Sequence, residues 1–242
     1  MSTSNASPGP PAAWQQAVGQ RLAEALARSR SAHAPAHDRP AGAADQPWVS
    51  RWQVAPRSST RSMAELARRQ ARDPAGRARA QSLFERCLRH YREQLRPLDR
   101  QDDAGVALAC LLAACIQAQS LQAVTLPRWR AVHDWLEAWV ADDLDWDGAP
   151  IEQRQDFFER MACLAVAIGE WTVQASRQGE PAIRTAQALA RGSLKAELGL
   201  SIEQLADGLS GVMAPAGAGT DPSWGEAELP KAPTTRAPGD LL

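Results

Sequence analysis

Apolar residues recur along the chain at the 3.6-residue period of the α-helix, and no stretch alternates long enough to require a paired strand. The densest run is Ala104 to Ile116, thirteen residues that are all apolar or Gly. As a helix it is about 20 Å long, too short to span a membrane and suited to the centre of a small domain. A helix apolar on every side must be covered on every side, and the other stripes read as its cover. Phe84, Cys87, Leu88, Tyr91 and Leu95 share one face of a helix that Asp73-Pro74 starts and Pro97 stops. Asp102-Asp103 caps the central helix with carboxylates at its positive end. Trp129, Val132, Trp135, Leu136, Trp139 and Val140 mark the next helix. Phe157, Met161, Leu164, Ile168, Thr172 and Ala175 mark a long one from Ile151 to about Gln178. Ile183, Ala186, Ala190, Leu194 and Leu198 mark another, ended by Gly199. Ser201-x-x-Gln204 is a capping box for a last short turn, and Met63 to Arg72 is a short helix.

The expected fold is all-α: a single bundle of about five main helices around the buried 104–116 helix, spanning 63–208. Residues 1–62 read as a flexible N-terminal region with one amphipathic helix over about 13–30, striped by Trp14, Val18, Leu22 and Leu26. Such a helix is marginal alone, so it either docks on the domain, the expected case, or awaits a partner. The Pro- and Ala-rich linker that follows has one apolar island, Trp48 to Val54. The island can lie extended across the domain, anchored by Trp48, Trp52 and Val54, or serve as an exposed motif. Residues 209–242 read as a disordered tail, rich in Pro, Gly and Ala.

Composition adds compartment and charge. The four cysteines, Cys87, Cys110, Cys115 and Cys163, fall at core-facing helix positions without metal-ligand spacing. This suggests buried reduced thiols and a cytoplasmic chain. Met1 to Pro11 has neither the basic nor the apolar region of a secretory signal, which leaves a signal-less secretion route as the alternative. Net charge is −1, yet residues 1–100 hold 17 Arg against 8 acidic residues. The rest holds 10 basic and 20 acidic residues, so the two halves can attract each other within one fold. The arginines also permit nucleic-acid binding, but no aromatic interleaving or helix-turn-helix supports it. Arg outnumbers Lys 25 to 2, a bias that a GC-rich genome also produces.

Candidate chemistry is sparse. Asp143, Asp145, Asp147 and Gly148 match the start of a calcium loop, but Arg154 stands where the bidentate Glu belongs and Pro150 where an apolar bridge residue belongs. Calcium binding is therefore not expected, and no other metal or cofactor is implied. His33 and His37 fall in the linker, while His90 and His133 have i, i+4 surface partners in Arg86 and Glu137. No serine elbow, phosphate loop, H-E-x-x-H or kinase signature is present. Gln155 and Glu159 share a face beside an apolar stripe, where a structural tie to a neighbour is the simpler role. Trp129, Trp135 and Trp139 read first as core and otherwise as a partner groove.

The Asp103-Ala-Gly-Val-Ala-Leu-Ala run, the Gln155-Asp-Phe-Phe-Glu159 turn followed by Met161-Ala-Cys-Leu-Ala165, and the closing Leu198-Gly199 resemble an uncharacterised bacterial domain-of-unknown-function family, number 6683, over about residues 50–208. That family pairs an Asp-led Ala-rich helix with a later Gln-x-x-x-Glu helix, and its members usually carry a signal peptide. The resemblance implies no activity, and it marks Asp103, Gln155 and Glu159 as positions to follow. The expected function is that of a non-enzymatic helical protein acting through an unidentified protein partner. A signal-less secreted protein or secretion accessory is the alternative, and nucleic-acid binding is less expected.

Overall fold

The computed structural model describes residues 13–31, 50, 52–57, 61–143, 146–210 and 212–213. They form eight α-helices: α1 Ala13–Ser31, α2 Arg61–Gln70, α3 Pro74–Leu95, α4 Ala104–Ser120, α5 Leu126–Asp143, α6 Ile151–Gln178, α7 Glu180–Leu198 and α8 Ile202–Ser210. No strand forms among the described residues; the one β feature is an isolated antiparallel bridge between Gln53 and Asp103. The fold is all-α, as the periodicity requires.

α4 is the axis. Asp103 caps it, its Oδ1 accepting from the Gly105 and Val106 N–H groups at 2.9 and 3.1 Å. Along α4, Ala104 through Ala109, Leu111, Leu112, Ala114, Cys115 and Ala118 are buried. α5, α6, α7 and α8 all pack on it, and its many alanines let those neighbours approach closely. It ends at Leu121, held in the left-handed region at φ 57° with no glycine to ease it. α3 begins as its sequence directs, with Asp73 accepting from Gly76 N–H at 2.8 Å and Pro74 in the first turn. The capping box before α8 forms reciprocally: Gln204 N–H donates to Ser201 Oγ and Ser201 N–H to Gln204 Oε1.

The packed body holds the five main helices α3–α7 and the short α2 and α8, and it also takes in α1 and residues before 63. α1 docks: Val18, Leu22 and Leu26 are buried in the same core as α4 and α6. Two small-residue crossings permit this. A Cβ on Gly19 would stand 2.1 Å from the Leu198 carbonyl oxygen, and one on Gly208 2.6 Å from Leu26 Cβ. A narrow stripe suffices because backbone meets backbone there. Residues 52–57 also belong to the body as an extended strap, with Trp52 fully buried and Val54 nearly so. Trp52 lies 4.8 Å from Trp146 and 6.1 Å from Trp139, ring centre to ring centre. Trp14 of α1 joins them, 5.6 Å from Trp146 and 5.7 Å from Phe157. Trp48, His33, His37, Asp145 and the expected tail beyond residue 213 lie outside the described residues.

Candidate functional site

The positions marked by the sequence pattern converge on the strap. Trp52 O accepts from Ala104 N–H at 3.0 Å, and Val54 N–H donates to Asp102 O at 3.0 Å. The loop that carries the Asp103 cap is thus also one wall of the strap's seat. From the opposite side, Gln155 Nε2 donates to Ala55 O at 2.6 Å. Glu159, one helical turn on, takes Arg57 in a two-point contact, Nε to Oε1 at 3.0 Å and Nη2 to Oε2 at 2.8 Å. Arg57 also pairs with Asp156, whose Oδ1 accepts from Ser62 Oγ at 2.7 Å. Gln155 and Glu159 therefore clamp α6 to the strap, while Asp103 holds the α4 side.

The electrostatics follow from burial and pairing. Burial opposes charge on Arg57, but the hydrogen bonds to Glu159 and Asp156 outweigh it and raise the guanidinium pKa. Burial likewise opposes the charge of Asp156, and the bonds from Ser62 and Arg57 hold its carboxyl below the ordinary value. A second buried network lies beside this one. Glu197 of α7 receives Arg69 Nη1 at 2.6 Å and Gln15 Nε2 at 2.7 Å. Arg160 stands 3.6 Å from Glu197, donates to Gln15 Oε1 at 3.3 Å and pairs with Glu65. Four helices (α1, α2, α6 and α7) meet in it. The sequence pattern picked out Glu159 but missed Arg160, Glu197, Gln15 and Arg57. Nothing in a local stripe tells which charged residue a distant helix will cover.

A third polar group sits where α5 meets the start of the strap. Ser50 Oγ donates to Glu137 Oε1 at 3.3 Å and accepts from Trp52 N–H at 3.1 Å. His133 Nε2 stands 3.7 Å from that same Glu137 oxygen. In a hydrolytic triad the imidazole stands between hydroxyl and carboxylate and takes the hydroxyl proton. Here the carboxylate stands in the middle, taking the hydroxyl hydrogen bond itself, so the order of the triad is not reproduced. Burial raises the Glu137 carboxyl above its ordinary value despite nearby His133. His133 is itself buried, correcting the surface role expected for it.

The three tryptophans of α5 differ in burial. Trp139 is buried against Trp52, facing the core because it lies on the α5 side turned to the strap. Trp129 stacks on His133 at 5.4 Å, and its indole bonds the Cys110 thiol. Trp135 is half-buried at the edge of the core. Burial pushes the thiols of Cys110 and Cys115 up to about 12, values that keep a thiol protonated and unreactive. Of the acidic loop, Asp147 is largely exposed, and Arg154 Nη1 lies 3.5 Å from its Oδ1. Among the described residues no group of three or more His, Cys, Asp or Glu could hold a metal ion.

What faces outward instead is the far side of α3. Arg79, Arg86, Arg89 and Arg96 are exposed, with only Glu93 among them on that stripe. Arg92 leaves the set by turning onto Phe158 and pairing with Asp102 at 3.0 Å. Arg77 is half-buried. No described helix is long and apolar enough to cross a membrane.

In comparison with known proteins, the chain matches the model of a family of unknown function, DUF6683, over residues 12–212. That span takes in α1 and the strap, further than the 50–208 read from the motifs. No curated protein and no solved structure matches.

Proposed function

Because the chain belongs to the family of unknown function DUF6683, which brings no activity with it, we propose a role from its own surface. It is a bacterial, non-enzymatic helical protein of the cytoplasm that binds an acidic protein partner through the outer face of α3. One contrast carries this reading. The buried carboxylates Asp103, Glu159 and Glu197 each meet an arginine inside the body. Arg79, Arg86 and Arg89 stand exposed on α3 with no ion pair among the described residues. Ionic surface of one sign steers and selects a partner of the other. The bacterial, cytoplasmic setting rests on the excess of Arg over Lys and on free thiols at four cysteines.

The test is affinity capture with the full chain against a variant with Arg79, Arg86 and Arg89 changed to Glu, both treated with nuclease. A specific acidic protein recovered by the wild type and lost by the variant, with unchanged melting temperature, supports the proposal. Recovery of nucleic acid alone, or equal capture by both chains, overturns it. The export alternative uses residues 13–30 as the recognised element. It would require α1 to leave a seat in which Val18, Leu22 and Leu26 are buried.

A further inference from the structure

α2, α3, α6 and α7 leave an open groove of about 270 Å³ between them. Phe84, Leu164, Trp171 and Leu189 form its apolar lining, and Arg69 and Glu197, the charged members of that lining, close one end. α6 and α7 meet at Gly179, so Trp171 and Leu189 lie toward that end of the groove and Leu164 and Glu197 toward the other. From Leu189 to Glu197 is eight residues of α7, about 12 Å at the helical rise. Trp171 and Leu189 are half-buried, and a Cβ built on Gly192 meets nothing within 4 Å. The polar end has donors to spare. Glu197 is buried, and each of its oxygens already accepts a bond: Oε1 from Arg69 Nη1 at 2.6 Å and Oε2 from Gln15 Nε2 at 2.7 Å. Arg69 makes that single bond among the described residues, which leaves Nε and Nη2 as a parallel pair of donors. Arg160 stands 3.6 Å from Glu197, and its Nε has no acceptor among the described residues either. A carboxylate is the group that takes the paired donors of a guanidinium in a bidentate bond.

We infer that the groove binds a straight-chain monocarboxylate of medium length, with its carboxylate on Nε and Nη2 of Arg69 and its chain along Leu164, Trp171 and Leu189. The ion pair to Glu197 holds the guanidinium in place for it. Eight carbons joined by bonds of about 1.5 Å, laid in zigzag, reach about 9 Å. The carboxylate oxygens and the terminal methyl fill the rest of the groove's length. Its volume lies just under the range of about 300–1,000 Å³ usual for small-molecule pockets, which suits one slender chain. Half-exposed apolar surface along Trp171 and Leu189 is what such a chain covers. Phe84 faces inward on α3 while Arg79, Arg86 and Arg89 face outward. The site is therefore separate from the surface proposed above, and neither reading depends on the other.

The test is calorimetric titration of the full chain with octanoate, octanol and octylammonium, each below its micelle-forming concentration. Octanoate is expected to bind one to one and roughly tenfold or more tighter than octanol, which brings no charge to the paired donors of Arg69. Gly192→Leu places an isobutyl group in the open space of the groove and is the better helix former. It is expected to abolish octanoate binding with the melting temperature kept. Arg69→Lys keeps a cation beside Glu197 but not the paired donors, and should weaken octanoate by roughly tenfold. No binding of octanoate by the wild type overturns the inference, as does equal affinity for octanol. Tighter binding of octylammonium makes Glu197 the recognising group and overturns it too. These three comparisons use the wild type alone, so they decide whether or not a variant folds. Unchanged octanoate affinity in either folded variant places the ligand elsewhere and overturns the site.

Discussion

Asp103 combines three duties at one carboxylate: it accepts from two α4 amides, pairs with Arg100 at 3.1 Å, and belongs to the loop that bridges to the strap. It is fully buried, so Asp103→Ala removes the cap and the ion pair to Arg100 together. A loss of about 2–3 kcal/mol is expected from urea unfolding, above the ordinary cap value of about 1 kcal/mol. Arg57 should be costlier. Arg57→Met takes from Glu159 and Asp156 the cation that bonds both, and breaking a buried pair from one side costs about 3–5 kcal/mol. Glu137 works in the opposite direction. Its folded pKa is raised, so folding favours the protonated form and ionisation costs stability above that pKa. Glu137→Gln should therefore be more stable than the wild type at neutral pH, with the gap closing as pH falls below the unfolded value of 4.5. Asp156, with a lowered pKa, contributes stability above 3.8 that is lost as pH falls through its folded value. Asp156→Asn should accordingly be the less stable protein at neutral pH. Melting curves from pH 3 to pH 8 separate the two carboxylates by sign alone.

At the scale of an element, α4 tests the claim of a buried axis. Leu112 is fully covered, and Leu112→Ala should cost about 2–5 kcal/mol by transfer and cavity terms. A near-neutral result would move the axis elsewhere. The end of the same helix is a place where the sequence accepts strain. Leu121 holds a left-handed backbone while nearly half exposed, 45%. Leu121→Gly should therefore stabilise by about 1 kcal/mol, because the conformational penalty goes and little packing is lost. α1 depends on a missing atom. With the Leu198 carbonyl where a Cβ of Gly19 would stand, Gly19→Ala must push α1 outward. Hydrogen exchange should then rise across 13–31 and 202–210 with α4 little changed.

For the whole molecule, the arrangement is a helical body cross-tied by buried ions rather than a cleft lined by chemistry. The strap touches α4 through its backbone, α5 through Ser50, and α6 through Ala55 and Arg57. Together with α1 it ties the N-terminal region to the body, and the Gln155–Glu159 pair is the fastening point. The outward-facing arginines of α3 and the groove beside Trp171 are the surfaces left over, and both readings of function are built there.

The helices were legible in the sequence because their causes are local. A 3.6-residue apolar period, Asp103 and Asp73 as caps, Ser201 with Gln204, and Gly179 and Gly199 as stops each act within one or two turns. The centrality of α4 was legible for the same reason, since a helix without a polar face has no stable place but the inside. Asp103 was legible as a cap, and Gln155 and Glu159 as a tie to a neighbouring segment, but the residues they hold were not. Only the tertiary structure brings Arg57 across 102 residues to Glu159 and Gln15 across 182 to Glu197. It alone decides that Trp139 faces Trp52, that His133 is covered, and that a glycine lets α1 dock. Those outcomes depend on which surfaces meet after the helices have formed, and no periodicity along a chain encodes its partner across the core.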